Sequence, residues 1–507
     1  MASTSDFSKH INEGYASKGE SITLGGAILN GEAVADTFVK VPLKTLNRHG
    51  LISGATGTGK TKTIQVLSEQ LSLLGIPVLM MDIKGDFSGI AKEGEEKPFI
   101  TERHAKINIP YTTSSFPVEL MSLSQQNGVR LRATVSEFGP VLFSRILDLN
   151  DTQTGVVAVI FKYCDDKQMP LLDLKDIKKV LNYITEEGKE EIEENYGKIS
   201  TSTTGIILRK IIELEQQGGD LFFGEKSFEI DDLMRFDENG KGYVNIIRLT
   251  DIQDKPKLFS TFMLSLLAEI YQQMPEKGDV EQPELVIFID EAHLIFNEAS
   301  KALLDQIETI IKLIRSKGIG VYFVTQNPMD VPASVLAQLG LKIQHALRAF
   351  TANDRQAIRQ TADNYPTSIY YKTDEVLTSL GIGEAFVTAL NEKGIPTPLA
   401  ATMMRAPMSR MDVLTDTEIS EINAKSKLVR KYSEEIDRES AYEILAKKID
   451  AANQQAEVQA EEENKTAERK SNEPSTAAVI GKSVIKVVTS ATFIRGVFGV
   501  LSKMFKR

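Results

Sequence analysis

The chain has 507 residues, of which 42% are hydrophobic, so it is long and apolar enough for two to four domains with sizeable cores. Its formal net charge of −11 argues against a general coat for nucleic acid, although a local basic surface in an acidic protein is compatible with this composition. The single cysteine, Cys164, excludes an intramolecular disulfide partner and a cysteine-cluster metal site, and together with polar first residues and no bilayer-length apolar run it predicts a cytoplasmic protein.

The N-terminal part carries little pattern before a phosphate-binding motif. One short extended segment, 21–26, precedes it, so we expect no large N-terminal domain. Residues 51–63 read LISGATGTGKTKT, and the stretch from Gly54 to Thr61 satisfies the pattern G-x-x-x-x-G-K-[ST]. An apolar run at 49–53 predicts a strand before the loop, and apolar residues at three- and four-residue spacing predict a helix over 60–74.

The residue types in this loop match what a triphosphate requires. Glycines lack a Cβ, so the backbone curls and points successive N–H groups at one anion. Lys60 would contact the β- and γ-phosphates, Thr61 would offer its hydroxyl to Mg²⁺, and the helix N-terminus adds a favourable dipole. ATP and Mg²⁺ are therefore the predicted cofactors. The predicted nucleotide-binding residues are Gly54, Ala55, Thr56, Gly57, Thr58, Gly59, Lys60, Thr61 and Lys62.

A second apolar run, 76–82, predicts a strand that ends in charged residues. Asp82, Lys84 and Asp86 follow its end, and polar residues just past a parallel strand lie at the edge where doubly wound sheets bind ligands. These three residues are site candidates. A solvated turn with glycine breakers explains the same letters equally well.

From 91 to 237 the strand–helix alternation is lost, and the pattern predicts a mostly helical insertion between two core strands. Three arginines in this range, Arg130, Arg132 and Arg145, are candidates for contact with substrate or a neighbouring subunit. A solvated helix face is the favoured interpretation of these arginines.

Core alternation resumes with a strand at 243–249 and a helix at 257–273. The run Leu285–Ile289 then ends in Asp290 and Glu291, a pattern typical of a buried parallel strand that delivers carboxylates to the sheet edge. Asp290 is the predicted second metal residue beside Thr61, and Glu291 is the predicted general base that polarises the attacking water.

The second half of the core supplies further candidates. A helix over 298–317 precedes a strand at 320–326, and Gln326 at its tip is positioned to sense the γ-phosphate or to orient water. A strand around 342–348 leaves Arg348 at its end, and an antiparallel hairpin closes the core at 384–402.

The C-terminal tail divides into three parts. Residues 413–452 show helical periodicity, 453–480 are polar and predict a flexible linker, and 481–507 form a basic amphipathic helix with no acidic residue. Packing of this last helix on the core or on another subunit's tail is favoured, and contact with a membrane surface or nucleic acid is the alternative.

These patterns predict an α/β fold with a mainly parallel sheet, a helical insertion and a C-terminal helical tail. The first part of the core is expected over 1–90, the insertion over 91–237, the second part over 238–412, and the helical extension over 413–452.

With these motifs in this order, the chain resembles the HerA–FtsK superfamily of ring-forming ATPases, and within it the YjgR-type bacterial HerA-like branch. The resemblance runs from about residue 10 to 412. It rests on the blocks 46–61, 82–89, 130–140, 289–293, 314–326 and 344–350. It implies a RecA-like P-loop core, a hexameric homo-oligomer and ATP bound between subunits. HerA proper carries an N-terminal β-barrel that docks a nuclease, which the short N-terminal part here does not match.

The resemblance also implies a catalytic arginine from a neighbouring subunit, for which Arg315 and Arg348 are the candidates; a surface ion pair is the alternative for each. Two functions follow. The first is a Mg²⁺-dependent ATPase motor acting on DNA, and the second is an ATP-driven protein remodeller or nucleotide-switched scaffold without a nucleic-acid substrate. The letters Asp-Glu-Ala-His at 290–293 match a helicase class with two motor domains, but its second-domain motif is missing from the sequence, so His293 is interpreted as a helix-start residue near the site.

Overall fold

The structure is a computed structural model that describes residues 3–124, 126–225, 228–296, 301–349, 351–432 and 439–471. The chain divides into two compact units. The first contains 1–132 and 226–435, and the second contains 133–225 with the C-terminal part from 436. Among the described residues, no helix combines the length and apolar character that a bilayer crossing requires.

One sheet organises the first unit, and within the described part of the chain it has twelve strands in the order β2-β1-β12-β11-β10-β3-β9-β8-β4-β7-β5-β6. The strands are β1 (Ser21–Leu29), β2 (Glu32–Pro42), β3 (Gly50–Ser53), β4 (Val78–Asp82), β5 (Val118–Ser122), β6 (Val129–Arg130), β7 (Val244–Arg248), β8 (Leu285–Ile289), β9 (Ile319–Thr325), β10 (Leu341–His345), β11 (Glu384–Thr388) and β12 (Ala400–Met404). From β10 to β6 neighbouring strands run parallel, whereas β2, β1, β12 and β11 extend the sheet antiparallel. The predicted mainly parallel α/β sheet is confirmed.

Central strands are apolar because both faces of the sheet are covered. Every residue of β8 and of β9 is buried, which explains why their sequences are continuous hydrophobic runs without alternation. Both faces of a parallel sheet are normally packed by crossover helices, and the polar residues are left for the strand ends.

The helices begin and end as follows in chain order: α1 (Thr4–Gly14), α2 (Lys60–Leu73), α3 (Pro98–Ile107), α4 (Val135–Ile146), α5 (Asp151–Asp166), α6 (Leu174–Thr185), α7 (Lys189–Asn195), α8 (Thr201–Gln216), α9 (Gly219–Phe222), α10 (Pro256–Gln273), α11 (His293–Phe296), α12 (Lys301–Ile314), α13 (Ala333–Leu336), α14 (Ala352–Asp363), α15 (Thr373–Ser379), α16 (Asp416–Lys425), α17 (Lys427–Lys431) and α18 (Ala441–Ser471). The helices α4 to α9 and α18 belong to the second unit, and the others to the first.

The N-terminal part contains more structure than the short extended segment that the sequence predicts. β1 and β2 form an antiparallel hairpin, and β1 also pairs with β12. The turn residues Asn30 and Gly31 have φ values of 52° and 85°, the left-handed conformation that tight hairpin turns require. The Asn-Gly pair is the signal for this hairpin, and the mixed polarity of β2 conceals it.

The helical second unit covers 133–225, a narrower range than the predicted 91–237. The reason is that β5 and β6 lie inside the predicted range but pair with β7 and with each other at the end of the sheet. Within the second unit, α6 packs against α8 and α18. Cys164 is a free, buried thiol on α5, and burial raises its pKa to about 12.

The predicted linker over 453–480 is wrong for its first part, because α18 continues as a helix to Ser471. Its Glu, Gln, Ala and Lys residues are too polar for a buried core but have high helix propensity, and composition alone does not separate these two properties. The remainder of that linker and the predicted basic helix over 481–507 lie outside the described residues.

Candidate active site

The carboxyl ends of four neighbouring parallel strands define the site. Ser53 of β3 pairs with Thr325 of β9, and Met81 of β4 pairs with Ile289 of β8. The segments that leave these strands therefore emerge side by side at one edge of the sheet, which is where α/β proteins of this type bind ligands.

The phosphate loop uses glycine where no other residue fits. Gly54, Gly57 and Gly59 have φ values of 152°, 77° and 115°. A Cβ on Gly54 would lie 2.5 Å from the Cβ of His345, whereas a Cβ on Gly57 would meet nothing within 4 Å. Gly54 therefore allows close approach to β10, and Gly57 faces the open side of the loop, where a phosphate would approach its N–H.

Backbone hydrogen bonds anchor this loop to the sheet. The N–H of Ala55 donates to the carbonyl of Ala346 at 2.9 Å, and the N–H of Gly383 donates to the carbonyl of Thr58 at 2.9 Å. The hydroxyl of Thr58 closes the turn by donating to the carbonyl of Ala55 at 2.7 Å. The loop is thus held in shape by the strands beside it, so little ordering is left for a ligand to impose.

Lys60 is buried at the start of α2, and its ammonium lies inside the loop. Its Nζ donates to the carbonyl of Gly54 at 2.6 Å and to that of Ala55 at 3.1 Å. Burial lowers the pKa of Lys60, and the nearby positive charge of Lys84 lowers it further. Phosphate oxygens are stronger acceptors than these carbonyls, so a bound triphosphate would take over the ammonium.

The segment after β4 joins the phosphate loop through Thr61. The hydroxyl of Thr61 donates to Oδ2 of Asp86 at 3.1 Å. Asp82, which is buried, accepts from the N–H of Gly85 at 2.7 Å and from that of Phe87 at 3.2 Å, so it shapes the turn that presents Asp86. The alternative of a solvated turn does not fit this geometry, because Asp82 is buried and Asp86 accepts a hydrogen bond from the first turn of α2.

Two buried carboxyls in the site have raised pKa values. Burial raises the pKa of Asp290 to about 7; neighbouring Glu291 and Asp82 also raise it, and Lys84 lowers it. Burial and the charge of Asp86 raise the pKa of Asp82 to about 6, against the hydrogen bonds that it accepts. Such groups are poised to gain a cation, because a cation relieves the desolvation of the carboxylate.

Glu291 combines a strained backbone with two cationic or polar neighbours. Its φ of 46° lies in the left-handed region, which a residue with a side chain rarely adopts. Its Oε1 forms an ion pair with Nζ of Lys84, and its Oε2 lies 3.1 Å from Nδ1 of His293 at the start of α11. Both oxygens of this carboxylate are therefore in contact with a neighbouring side chain.

Two other predicted residues differ in their position relative to the phosphate loop. Gln326 is exposed beside the phosphate loop, and its Oε1 accepts from the hydroxyl of Thr56 at 3.4 Å. Lys62 points away from the loop, because its Nζ donates to the carbonyl of Met411 and to Oε1 of Gln65.

The two candidate arginines lie at opposite ends of the parallel strands. Arg348 is exposed just after β10, at the same edge as the phosphate loop. Arg315 precedes β9, lies 3.8 Å from Asp279, and is separated from the site edge by the length of that strand, about 20 Å for seven residues. Arg315 therefore does not reach the phosphate loop of its own chain.

His345 is a site residue that the sequence interpretation missed. It is buried beneath the loop, where Nε2 lies 2.9 Å from the hydroxyl of Thr63 and Nδ1 lies 3.0 Å from the carbonyl of Glu384. Burial lowers its pKa to about 4, so the imidazole is neutral at physiological pH. Its position at the end of β10 was the available signal.

The donors present fit Mg²⁺ better than a softer metal. Thr61, Asp86 and Asp290 offer hydroxyl and carboxylate oxygens at one edge, which Mg²⁺ prefers. Among the described residues, no group of three or more His, Cys, Asp or Glu side chains is arranged to hold a metal by itself. Mg²⁺ in nucleotide sites is usually held by one or two carboxylates together with substrate phosphates and water.

A family model and several known proteins are similar to this chain. A family model described as helicase HerA-like C-terminal matches residues 28–502. The DNA double-strand break repair helicase HerA of Sulfurisphaera tokodaii is 23% identical over 71% of this chain and 66% of its own length, and that of Saccharolobus solfataricus is 27% identical over 69% and 63%. The DNA import protein CedB of Sulfolobus acidocaldarius is 24% identical over 69% of this chain and 51% of its own length. The chain thus spans slightly less than two thirds of the length of the two HerA relatives and about half of the length of CedB.

Solved structures support the fold. The bacterial conjugative coupling protein TrwB matches in its unbound form and in complex with a non-hydrolysable GTP analogue, each with a TM-score of 0.52 and 14% identity. These alignments cover 80% of this chain and 95% and 94% of the TrwB chains. The predicted RecA-like core is therefore confirmed.

Proposed function

Because the chain belongs to the helicase HerA-like C-terminal family of P-loop ATPases, we propose that it hydrolyses ATP with Mg²⁺ and uses the free energy to move DNA as a ring-shaped homo-oligomer, a hexamer. One observation carries the proposal: the phosphate loop with Lys60 and Thr61 lies at the same sheet edge as Asp290 and Glu291, although more than two hundred residues separate the two motifs. DNA is proposed as the substrate because the similar proteins include DNA double-strand break repair helicases and a DNA import protein.

Different residues of the chain would bind the phosphates and the Mg²⁺ ion. Lys60 exchanges the carbonyls of the loop for the β- and γ-phosphates, and the N–H groups around Gly57 surround the phosphate chain. Thr61 and Asp290 would hold Mg²⁺ directly or through water, with Asp86 beside them. When bound, Mg²⁺ supplies positive charge that stabilises the charge developing on the phosphate oxygens.

Hydrolysis requires one proton transfer and one displacement at phosphorus. Glu291 accepts a proton from a water molecule while the water oxygen forms a bond to the γ-phosphorus. The bond from the γ-phosphorus to the bridging oxygen breaks, and its electron pair leaves with ADP, so the products are ADP and inorganic phosphate. Gln326 would orient the water, and the proton on Glu291 returns to solvent.

The first test separates binding from turnover. We expect Lys60→Ala to lose ATP binding, and Glu291→Gln to bind ATP with unchanged affinity while its turnover falls by at least about 100-fold, because the amide does not accept the proton. Fluorescent-nucleotide titration and phosphate release measure the two quantities. Wild-type turnover by Glu291→Gln would refute the assignment of the base.

The second test concerns the substrate. We expect duplex DNA to stimulate phosphate release, with an apparent affinity that falls steeply as salt rises, because phosphate contacts release counterions. Mass measurement with and without nucleotide determines whether six chains assemble. If DNA neither stimulates hydrolysis nor binds in a salt-dependent way, the protein remodeller becomes the better explanation of the same ATPase.

A further inference from the structure

The segment between β4 and Asp86 presents a second lysine to the site from a fixed backbone. Asp82 accepts two backbone hydrogen bonds, from Gly85 and Phe87, on one side of this segment. On the other side, Nε2 of Gln253 donates to the carbonyl of Ile83 at 2.6 Å. Lys84 lies between these contacts. Since its backbone is held from both sides, its side chain can change partners while the backbone of the segment stays in place.

The ammonium of Lys84 engages the general base. It forms an ion pair with Oε1 of Glu291, while Nδ1 of His293 lies 3.1 Å from Oε2. The carboxylate thus has a neighbour at each oxygen, and the ammonium of Lys84 competes with a water molecule for Oε1. The side chain of Glu291 is 7% exposed and that of Lys84 is 36% exposed, so the long and more exposed cation is the partner that leaves.

Charges around this pair favour an exchange with phosphate. Lys60 and Lys84 are two ammonium groups facing three carboxylates, those of Asp86, Asp290 and Glu291. A triphosphate adds negative charge close to both lysines and offers oxygens that hydrogen-bond an ammonium well. ADP lacks the γ-phosphate oxygens. ATP and ADP therefore differ in the hydrogen-bond acceptors that are available to Lys84.

We propose that Lys84 is the residue that detects the terminal phosphate of ATP: its ammonium pairs with Glu291 until the γ-phosphate competes for it, and Glu291 becomes free to activate water only then. The proposal rests on the proposed ATPase function and adds a specific role to it. The base does not activate water before the γ-phosphate is in position, because its carboxylate is paired with a cation. Lys84 also contributes to the preference for ATP over ADP.

The test compares ADP with a non-hydrolysable ATP analogue, both with Mg²⁺, on the full chain. We expect Lys84→Gln to weaken analogue binding by about 10- to 100-fold, the usual size of a lost charge-assisted hydrogen bond, and to change ADP binding by less than about two-fold. Lys84→Arg keeps a cation at this position and should retain the ATP preference. The matched control is Lys106→Gln, an exposed lysine of α3, which should change neither affinity.

A second background separates a phosphate contact from a purely structural ion pair. In Glu291→Gln the partner of the pair no longer carries charge, so a lysine that served only this pair would have no further effect on nucleotide binding. We expect Lys84→Gln to weaken analogue binding in this background as well. Equal analogue affinity with and without Lys84, in folded variants of unchanged melting temperature, overturns the proposal.

The two proposals fail in different ways. A wild-type chain that binds ATP no better than Lys60→Ala and releases no phosphate contradicts the proposed ATPase function itself. A wild-type chain that hydrolyses ATP, together with a Lys84→Gln variant whose preference for the analogue over ADP equals that of the wild type, contradicts the role of Lys84 and leaves the ATPase in place.

Discussion

At the scale of single residues, the glycines of the phosphate loop have different structural roles. Gly54 lies against β10 with a left-handed φ of 152°, while Gly57 has open space beside its Cα. The closeness of Gly54 to His345 fixes the position of the loop, and the openness at Gly57 leaves room for the ligand. Substitution at Gly54 therefore acts through the backbone of the loop.

We predict that Gly54→Ala weakens ATP binding by at least about ten-fold, because the added methyl would lie 2.5 Å from the Cβ of His345 and must displace the loop. Nucleotide titration measures this loss. Gly155→Ala is the control: Gly155 lies inside α5 with nothing within 4 Å of its Cβ position, so alanine there should stabilise the helix by about 0.5–1 kcal/mol and leave ATP binding unchanged. Wild-type affinity in Gly54→Ala would contradict this account.

A second residue-scale prediction concerns pH. His49 is buried, its Nε2 lies 2.8 Å from the carbonyl of Ile311, and its Nδ1 accepts from the N–H of Val321 at 3.1 Å. Burial lowers its pKa from 6.5 to about 4. Between these values the unfolded chain binds a proton that the folded chain does not, so the stability present above pH 6.5 is lost as pH falls toward 4.

The expected loss is about 3 kcal/mol for a histidine with this shift. Unfolding by denaturant at a series of pH values measures it, and His49→Gln should be less stable at neutral pH but should show a shallower decline below pH 6.5. Identical slopes for the two proteins would mean that the imidazole of His49 takes up its proton in the folded state.

At the scale of elements, the helix that carries Lys60 is tied to a distant segment. Glu69 of α2 is buried and accepts from the N–H of Met408 at 2.8 Å, from the N–H of Ser409 at 2.9 Å and from the hydroxyl of Ser409. The side chain of Gln65 donates to the same region, to Oγ of Ser409 at 2.7 Å. The chain after β12 therefore fixes the middle of α2 through hydrogen bonds to Gln65 and Glu69.

We predict that Glu69→Ala destabilises the first unit by about 2–4 kcal/mol, because it leaves two buried backbone N–H groups without their acceptor. Ser409→Ala removes only a hydroxyl and should cost about 1 kcal/mol. The order of melting temperatures, wild type above Ser409→Ala above Glu69→Ala, is the measured result. A Glu69→Ala protein that melts with the wild type would show that the segment is held by other contacts.

At the scale of the whole molecule, the two candidate arginines make different predictions for an assembly. Arg348 lies at the edge of its own site, whereas Arg315 lies about 20 Å away along β9, at the strand's other end. Its pairing with Asp279 at 3.8 Å is exposed and weak, so it is available to a neighbouring chain. Arg315 is therefore our candidate for catalysis across an interface.

We expect Arg315→Ala to bind ATP normally and to lose turnover by about 10³- to 10⁵-fold, as when such an arginine is withheld. Mixing this variant with Lys60→Ala should restore partial turnover, because some interfaces then combine an intact phosphate loop with an intact Arg315. Mixing Arg348→Ala with Lys60→Ala should restore none, if Arg348 serves its own site. Wild-type turnover of Arg315→Ala alone would exclude the role.

The sequence by itself determined the parts of this protein whose chemistry is local. A phosphate loop needs its glycines, lysine and threonine at fixed spacing within eight residues, and a buried parallel strand must be an apolar run. The loop, α2 and the central strands were therefore predicted from the sequence alone. Where pairing partners are remote, as for β1 with β12 and for β5 with β7, local pattern placed the boundaries wrongly.

Only the tertiary structure decided which charges meet. Lys84 and Glu291 are separated by 207 positions, and Thr61 and Asp86 by 25, and nothing in spacing or composition selects these pairs over others. Lys84 and Glu291 meet because β4 and β8 are adjacent and parallel, so the segments after these strands leave the sheet side by side. Thr61 and Asp86 meet because α2 and the segment after β4 begin at the same edge of the sheet. Strand order is fixed by packing over the whole sheet, and it is this order that converts separate motifs into one site.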